Sequence, residues 1–289
     1  MKNVEVALKI RANLGECPRW DERENCLYWV DINAFQLHRF DPRSGKDDYL
    51  QFDEEIGCFS LRQKGGFLLA MRTGFYTVDG WNTDRSFIAD PEIGMEKNRF
   101  NDGRADAMGR MFAGSVYPPK DHGGASIYSL NPGGEVKKWV GDLLTANGIA
   151  FSPNFRTFYY ADTPSHAIQQ CDYDVESGVV TNCRVFHQFP LGNGRPDGAS
   201  VDSEGCYWTA LYEGGRVVRL SPAGVILDEI SVPAKCPTMV AFGGEDLKTL
   251  YITSVGGRPE EELQQYPDSG SLFSVRVDVA GLPEQRFGG

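Results

Sequence analysis

One pattern constrains this chain more than any other: it repeats six times. Residues 16–31 read ECPRWDERENCLYWVD, 58–71 CFSLRQKGGFLLAM and 102–114 DGRADAMGRMFAG. Residues 147–162 read NGIAFSPNFRTFYYAD, 197–210 DGASVDSEGCYWTA and 238–254 TMVAFGGEDLKTLYITS. Each is a short apolar alternation, a polar turn and an aromatic-rich strand. A third strand follows in every copy (QLHRFDP, GFYTVDG, SIYSLNP, IQQCDYD, RVVRLSP, SLFSVRVD), often closed by Asp-Pro, Asn-Pro or Ser-Pro. A fourth shows in most copies, as in KDDYLQF, EVKKWVG, NCRVFHQF and VILDEISV. Successive units begin at Glu16, Cys58, Asp102, Asn147, Asp197 and Thr238, at intervals of 42, 44, 45, 50 and 41 residues. Four strands per period of 40–50 residues specify an all-β, six-bladed β-propeller with antiparallel blades, formed as one domain over 1–289. The N-terminal strand VEVALKI is expected to seal the last blade, with the C-terminal EQRF as its competitor.

A propeller converts six distant positions into a ring, because the first strand of every blade lines the central channel. The ring reads Glu16, Cys58, Asp102, Asn147, Asp197, Thr238. This alignment also reassigns the Asp-Gly pair in RPDGASVDSEG (195–205), which in isolation signals a hairpin. The turn is DSEG; Asp197 starts a strand and faces the channel, and Gly198 allows close approach at the crowded axis. Three carboxylates at one channel end repel unless they are protonated or a cation neutralises them. An oxygen-rich ring suits hard ions such as Ca²⁺, Mg²⁺ or Mn²⁺. The four His (38, 122, 166, 187) fall on outer strands or loops, which argues against a His-rich zinc site and leaves carboxylate-bound Zn²⁺ or Fe²⁺ open. In NRFND (98–102), Arg99 and Asn101 place a cation and an amide at the channel mouth, suited to hydroxyls or a carbonyl oxygen.

Charge narrows the partners. A net charge of −11 repels phosphate backbones and anionic membranes, so nucleic acid and lipid surfaces are excluded. No apolar run reaches a membrane span, the N-terminus lacks a secretory pattern, and the cytoplasm is the expected location. Seven cysteines without a C-x-x-C read as free thiols, none with a basic neighbour in sequence to activate it.

The segments LGECPRW, NRFNDGRADAMGRMFAG, NGIAFSPNFRTFYYAD, RPDGASVDSEGCYWTALYEGGRV and LYITS resemble, in order along nearly the whole chain, the SMP-30/gluconolactonase/LRE family, which includes regucalcin and bacterial sugar lactonases. The resemblance implies a metal-dependent hydrolase that opens aldonolactones such as glucono-, xylono- or arabinonolactone. It implies Glu16, Asn147 and Asp197 as ligands of one divalent ion, Asp197 also as acid/base, Arg99 and Asn101 as substrate contacts, and Asp102 as support for the ring or an alternative base. Position 17 is Cys where many members have Gly, and 146 is Ala where Ser is common. After FAG the chain reads SVYPPKDHGG, without the acidic residue that some members use on substrate; Tyr117, Asp121 and His122 are the candidates there. The expected partner is a small sugar lactone, and the expected state a monomer or weak oligomer. Competing readings are a non-catalytic calcium-binding regulatory protein, a propeller acting on other esters or phosphotriesters, and a protein-interaction propeller.

Overall fold

The structure is a computed structural model and describes residues 2–289. It contains six four-stranded antiparallel sheets, five of them built from consecutive strands. They form a six-bladed propeller. The innermost strands are Gly15–Asp21, Ile56–Leu61, Arg99–Ala105, Ala146–Phe151, Arg195–Val201 and Pro237–Gly243, defining blades one to six. The sixth blade takes its outermost strand from the other end of the chain: Glu5–Leu8 pairs with Leu272–Arg276. The N-terminal strand therefore closes the ring, and EQRF does something else.

Burial falls from the axis outward. Inner strands are buried along almost their whole length, whereas outer strands such as Lys46–Gln51 alternate between exposed and half-buried residues. Apolar side chains on adjacent blades interlock. Phe112 of blade three meets Phe151, Phe158 and Tyr173 of blade four at ring separations of 5.3–5.7 Å. Fully burying one such side chain contributes about 1.5–3 kcal/mol, so the ring is held blade to blade by packing. Against that apolar background, polar side chains on buried inner strands stand out.

The inner strands are not regular. In all six blades the pairing of first and second strands slips at or beside the ring residue: after Glu16, before Cys58, before Asp102, after Asn147, around Asp197 and after Pro237. An extra residue bends a strand locally and re-aims its side chains. The bulges recur at corresponding places in all six blades, and in four of them a side chain beside the slip, Glu16, Asn101, Asn147 or Asp197, lines one pocket. Gly198 belongs to this crowding: a Cβ there would lie 2.3 Å from Met239 Cγ of the next blade.

The last residues cross the far face, where the hairpins joining first and second strands lie. Ser203 N–H donates to Ala280 O, Gly281 N–H to Leu247 O, Phe287 N–H to Leu61 O and Gly288 N–H to Gly109 O. Arg286 pairs with Asp21, and Leu282–Gln285 share a cleft with Pro153 and Phe155. The tail thus touches all six blades. Its Glu284 sits beneath the axis, paired with Arg19 Nε at 3.4 Å and Arg104 Nη1 at 3.1 Å.

The reading of seven free thiols is corrected. Cys171 and Cys183 form a disulfide between the third and fourth strands of blade four, and five buried cysteines are free. A short hairpin joins these strands and brings the two positions together, a pairing that motif spacing does not reveal. Among the described residues no helix is long and apolar enough to cross a membrane.

Candidate active site

The site lies at the start of the inner strands and has two tiers. Residues two apart on a strand share a face and sit about 7 Å apart along it. Four inner-strand starts use this relation: Leu14 with Glu16, Arg99 with Asn101, Thr145 with Asn147, and Arg195 with Asp197. All eight line one pocket of about 230 Å³, together with Val116, Lys120, Thr163 and Tyr212. Glu16, Asn101, Asn147 and Asp197 form its floor. Leu14, Arg99, Thr145 and Arg195 form its rim.

A polar chain through three blades orients the floor. Asn101 Nδ2 donates to Asn147 Oδ1 at 2.8 Å and to Ala146 O at 3.1 Å. Asn147 Nδ2 donates to Thr163 Oγ1 at 2.8 Å, and the Thr163 hydroxyl donates to Pro196 O at 2.8 Å. Because Thr163 spends its proton on Pro196, its oxygen accepts from Asn147, and the Asn147 carbonyl oxygen faces inward. Arg99 Nη1 donates to Asn101 Oδ1 and Phe100 O, both at 2.9 Å. Among the described residues Arg99 has no carboxylate within ion-pair distance, which leaves the rest of its guanidinium for a ligand.

The two floor carboxylates are uncompensated. Glu16 accepts one backbone bond, from Cys17 N–H at 3.1 Å. Neither Glu16 nor Asp197 has an ion-pair partner among the described residues, and each is 5% exposed. Burial, and then the neighbouring charges of Asp197 and Asp102, hold Glu16 well above the usual carboxylate range. Burial, then Asp102, does the same to Asp197. Buried carboxylates without partners are costly, and they mark a place where a cation or a proton belongs. Burial pushes Arg99 down to about 10, still cationic at neutral pH.

Asp102 belongs to the ring but not to the pocket lining. Its Oδ2 accepts from Ile149 N–H at 2.9 Å and its Oδ1 from Gly103 N–H at 2.7 Å, tying blade three to blade four. Cys58 and Thr238 also lie outside the lining; Thr238 Oγ1 donates to Gly15 O at 2.5 Å and links blade six to blade one. Burial pushes the Cys17 thiol up to about 11, so it remains a thiol beside Glu16. Of the loop candidates, Tyr117 and His122 line a separate cleft, and Asp121 is exposed and paired with His122 at 2.6 Å. The residue this loop contributes to the pocket is Lys120. Arg195 and Thr163 are further lining residues that sequence reasoning did not single out.

The donor set fits a hard divalent ion. Among the described residues no three His, Cys, Asp or Glu side chains form a metal cluster; the set here is two carboxylates and an inward-facing amide oxygen. Oxygen donors of this kind suit Ca²⁺, Mg²⁺ or Mn²⁺, and none of the four His lines the pocket. The acid set also fixes a pH dependence for the metal-free protein. Its carboxylates hold protons in the folded state that the unfolded chain has already released above about pH 4. Stability therefore falls as pH rises, by about 1.4 kcal/mol per pH unit for each extra proton held. Melting in EDTA is expected to move downward between pH 5 and 8, and millimolar divalent ion to flatten that slope. A melting temperature that climbs over this window in EDTA contradicts it.

Residues 14–256 match the model of the SMP-30/gluconolactonase/LRE-like region. A 6-deoxy-6-sulfogluconolactonase of Pseudomonas putida is 48% identical over 278 residues, covering 96% of this chain and 95% of that protein. Regucalcin of Danio rerio is 35% identical over 292 residues, covering 99% and 98%. The structure of a calcium-binding protein, regucalcin, from Agrobacterium tumefaciens superposes with a TM-score of 0.95 at 27% identity, covering 99% of this chain and 97% of that one.

Proposed function

The chain belongs to the SMP-30/gluconolactonase/LRE-like family, and from that premise we propose that its two-tier pocket opens the ring of a sugar lactone to the aldonic acid. The protein is a sugar lactonase. The observation that carries the residue assignment is the pairing of uncompensated floor carboxylates with an unpaired Arg99 across an open pocket. A site built only to hold calcium has no use for that space or that guanidinium.

Glu16, Asn147 and Asp197 are the residues that would hold a divalent ion through oxygen. Such an ion supplies Lewis acidity and lowers the pKa of water bound to it. The remaining steps belong to the chain. Asp197, a buried carboxylate with two oxygens, takes a proton from the attacking water at one Oδ and returns it to the leaving ring oxygen. A positioned carboxylate in this role typically contributes 10²–10⁴-fold. Arg99 donates from its free N–H groups to the carbonyl oxygen as charge develops there, or to the sugar hydroxyls. Asn101 holds both Arg99 and Asn147 in place. Asp102, bound by two backbone amides outside the pocket, is a positioning residue.

A pH-stat assay with glucono-, xylono- and arabinonolactone in the presence of Ca²⁺, Mn²⁺ or Zn²⁺ tests this reading. Acid release well above the uncatalysed rate with at least one lactone is expected. Calcium binding without acid release from any lactone would return the protein to the regulatory reading.

A further inference from the structure

The rim of the pocket carries more positive charge than a neutral lactone requires. Three cations, Arg99, Lys120 and Arg195, line one pocket in a protein of net charge −11. Among the described residues neither Arg99 nor Lys120 has an ion-pair partner. Arg195 Nη2 pairs with Glu213 at 2.8 Å, and its guanidinium lies 5.1 Å from the centre of the Tyr212 ring. Its Nε is buried without a hydrogen-bond partner. Arg195 stands one tier above Asp197 on the same strand, as Arg99 stands above Asn101. Lys120 reaches the pocket from the loop between the second and third strands of blade three. The nearby acid of that loop, Asp121, is turned to His122 and does not line the pocket.

We propose that Lys120 and Arg195 form an anion subsite that selects sugar lactones bearing a negatively charged group at the end remote from the carbonyl, which leaves Arg99 to the carbonyl or the sugar hydroxyls. The assignment rests on the lactonase reading of the same pocket. Its geometry is that of the two tiers. The floor acts on the ester, and the rim, about 7 Å away along the strands, meets the far end of the same molecule. A sulfonate, a phosphate and a carboxylate share the required chemistry: several acceptor oxygens and a full charge. Guanidinium and ammonium groups bind such groups through charge-assisted hydrogen bonds, which are about twice as strong as neutral ones. The name of the Pseudomonas putida relative, a 6-deoxy-6-sulfogluconolactonase, makes the sulfonate the first probe.

The test compares kcat/KM for gluconolactone with that for 6-deoxy-6-sulfogluconolactone, 6-phosphogluconolactone and glucarolactone, in the parent and in Lys120→Gln, Arg195→Gln and the double variant. Melting curves establish that each variant is folded. The parent is expected to prefer one anionic lactone over gluconolactone by roughly tenfold to a hundredfold, the range that one or two charged contacts provide. The variants are expected to lose that preference, mainly through KM. The lactone most affected identifies the anion. A parent that handles gluconolactone as well as every anionic lactone overturns the subsite and leaves the lactonase reading standing. So does an equal loss on neutral and charged lactones in the variants. If no lactone is opened, the lactonase reading fails, and calorimetry with 6-deoxy-6-sulfogluconate decides the subsite alone. Binding weakened at least tenfold in the double variant supports it, and absence of binding to the parent overturns it.

Discussion

Asp197→Asn is expected to abolish lactone opening, with kcat/KM lower by about 10³-fold or more, and to give a protein that melts higher than its parent in EDTA. Both effects have one cause. Asp197 is buried on the floor, without an ion-pair partner among the described residues, and its carboxyl is pushed upward by burial and by Asp102. Ionising it there opposes folding, and an amide of the same shape removes that opposition. The same change removes the proton acceptor and turns one of the two anionic oxygen donors into a neutral amide. Function and stability thus pull in opposite directions at this position, as they do where a site stores unfavourable charge. Rates with the preferred lactone and melting curves in EDTA decide it. Retained activity would remove Asp197 from the mechanism, and a large drop in melting temperature would make its role structural.

Exhaustive chelation is expected to silence the enzyme reversibly. Glu16, Asn147 and Asp197 bring two carboxylates and an amide oxygen together, and neither carboxylate has an ion-pair partner among the described residues. Re-addition of Ca²⁺, Mn²⁺, Mg²⁺ or Zn²⁺ in turn is expected to restore turnover with at least one of them. The same ion raises the melting temperature as its concentration exceeds its dissociation constant, by about 2.7 kcal/mol of stability at a hundredfold excess. Glu16→Gln is expected to require a higher concentration of ion for both effects. Full activity after chelation would falsify the assignment of these three residues as a cation site.

That Glu16, Asn147 and Asp197 share one pocket was legible because a propeller maps sequence period onto space, whereas Cys58, Asp102 and Thr238 of the same ring lie outside the lining. Once six units are aligned, Glu16, Asn147 and Asp197 must lie near one another, although 131 and 50 positions separate them. The six bulges were not legible. They depend on how each inner strand meets its partner, and no residue type announces them. Lys120 sits on a connecting loop, where no period applies. Arg195 was the avoidable omission. The relation that drew attention to Arg99 and Asn101 recurs in Arg195 and Asp197, and alternation along a strand suffices to pair them. Thr163 follows the second strand of blade four, and its value lies in one hydrogen bond that orients Asn147. Motif spacing makes Cys171 and Cys183 look like free thiols, because it carries no information on which positions of adjacent strands meet.

The C-terminal tail has a consequence for traffic. By lying across the far face and setting Glu284 against Arg19 and Arg104, it covers the end of the ring opposite the proposed site, so on the proposed reading traffic uses the pocket mouth. The proposed substrate then enters past Arg99, Lys120 and Arg195, and its product leaves the same way. That product carries one more negative charge than the lactone, since ring opening creates a carboxylate. Cations that recruit an anionic substrate would therefore also retain what it becomes. Departure of the acid is then the step that this architecture is expected to slow.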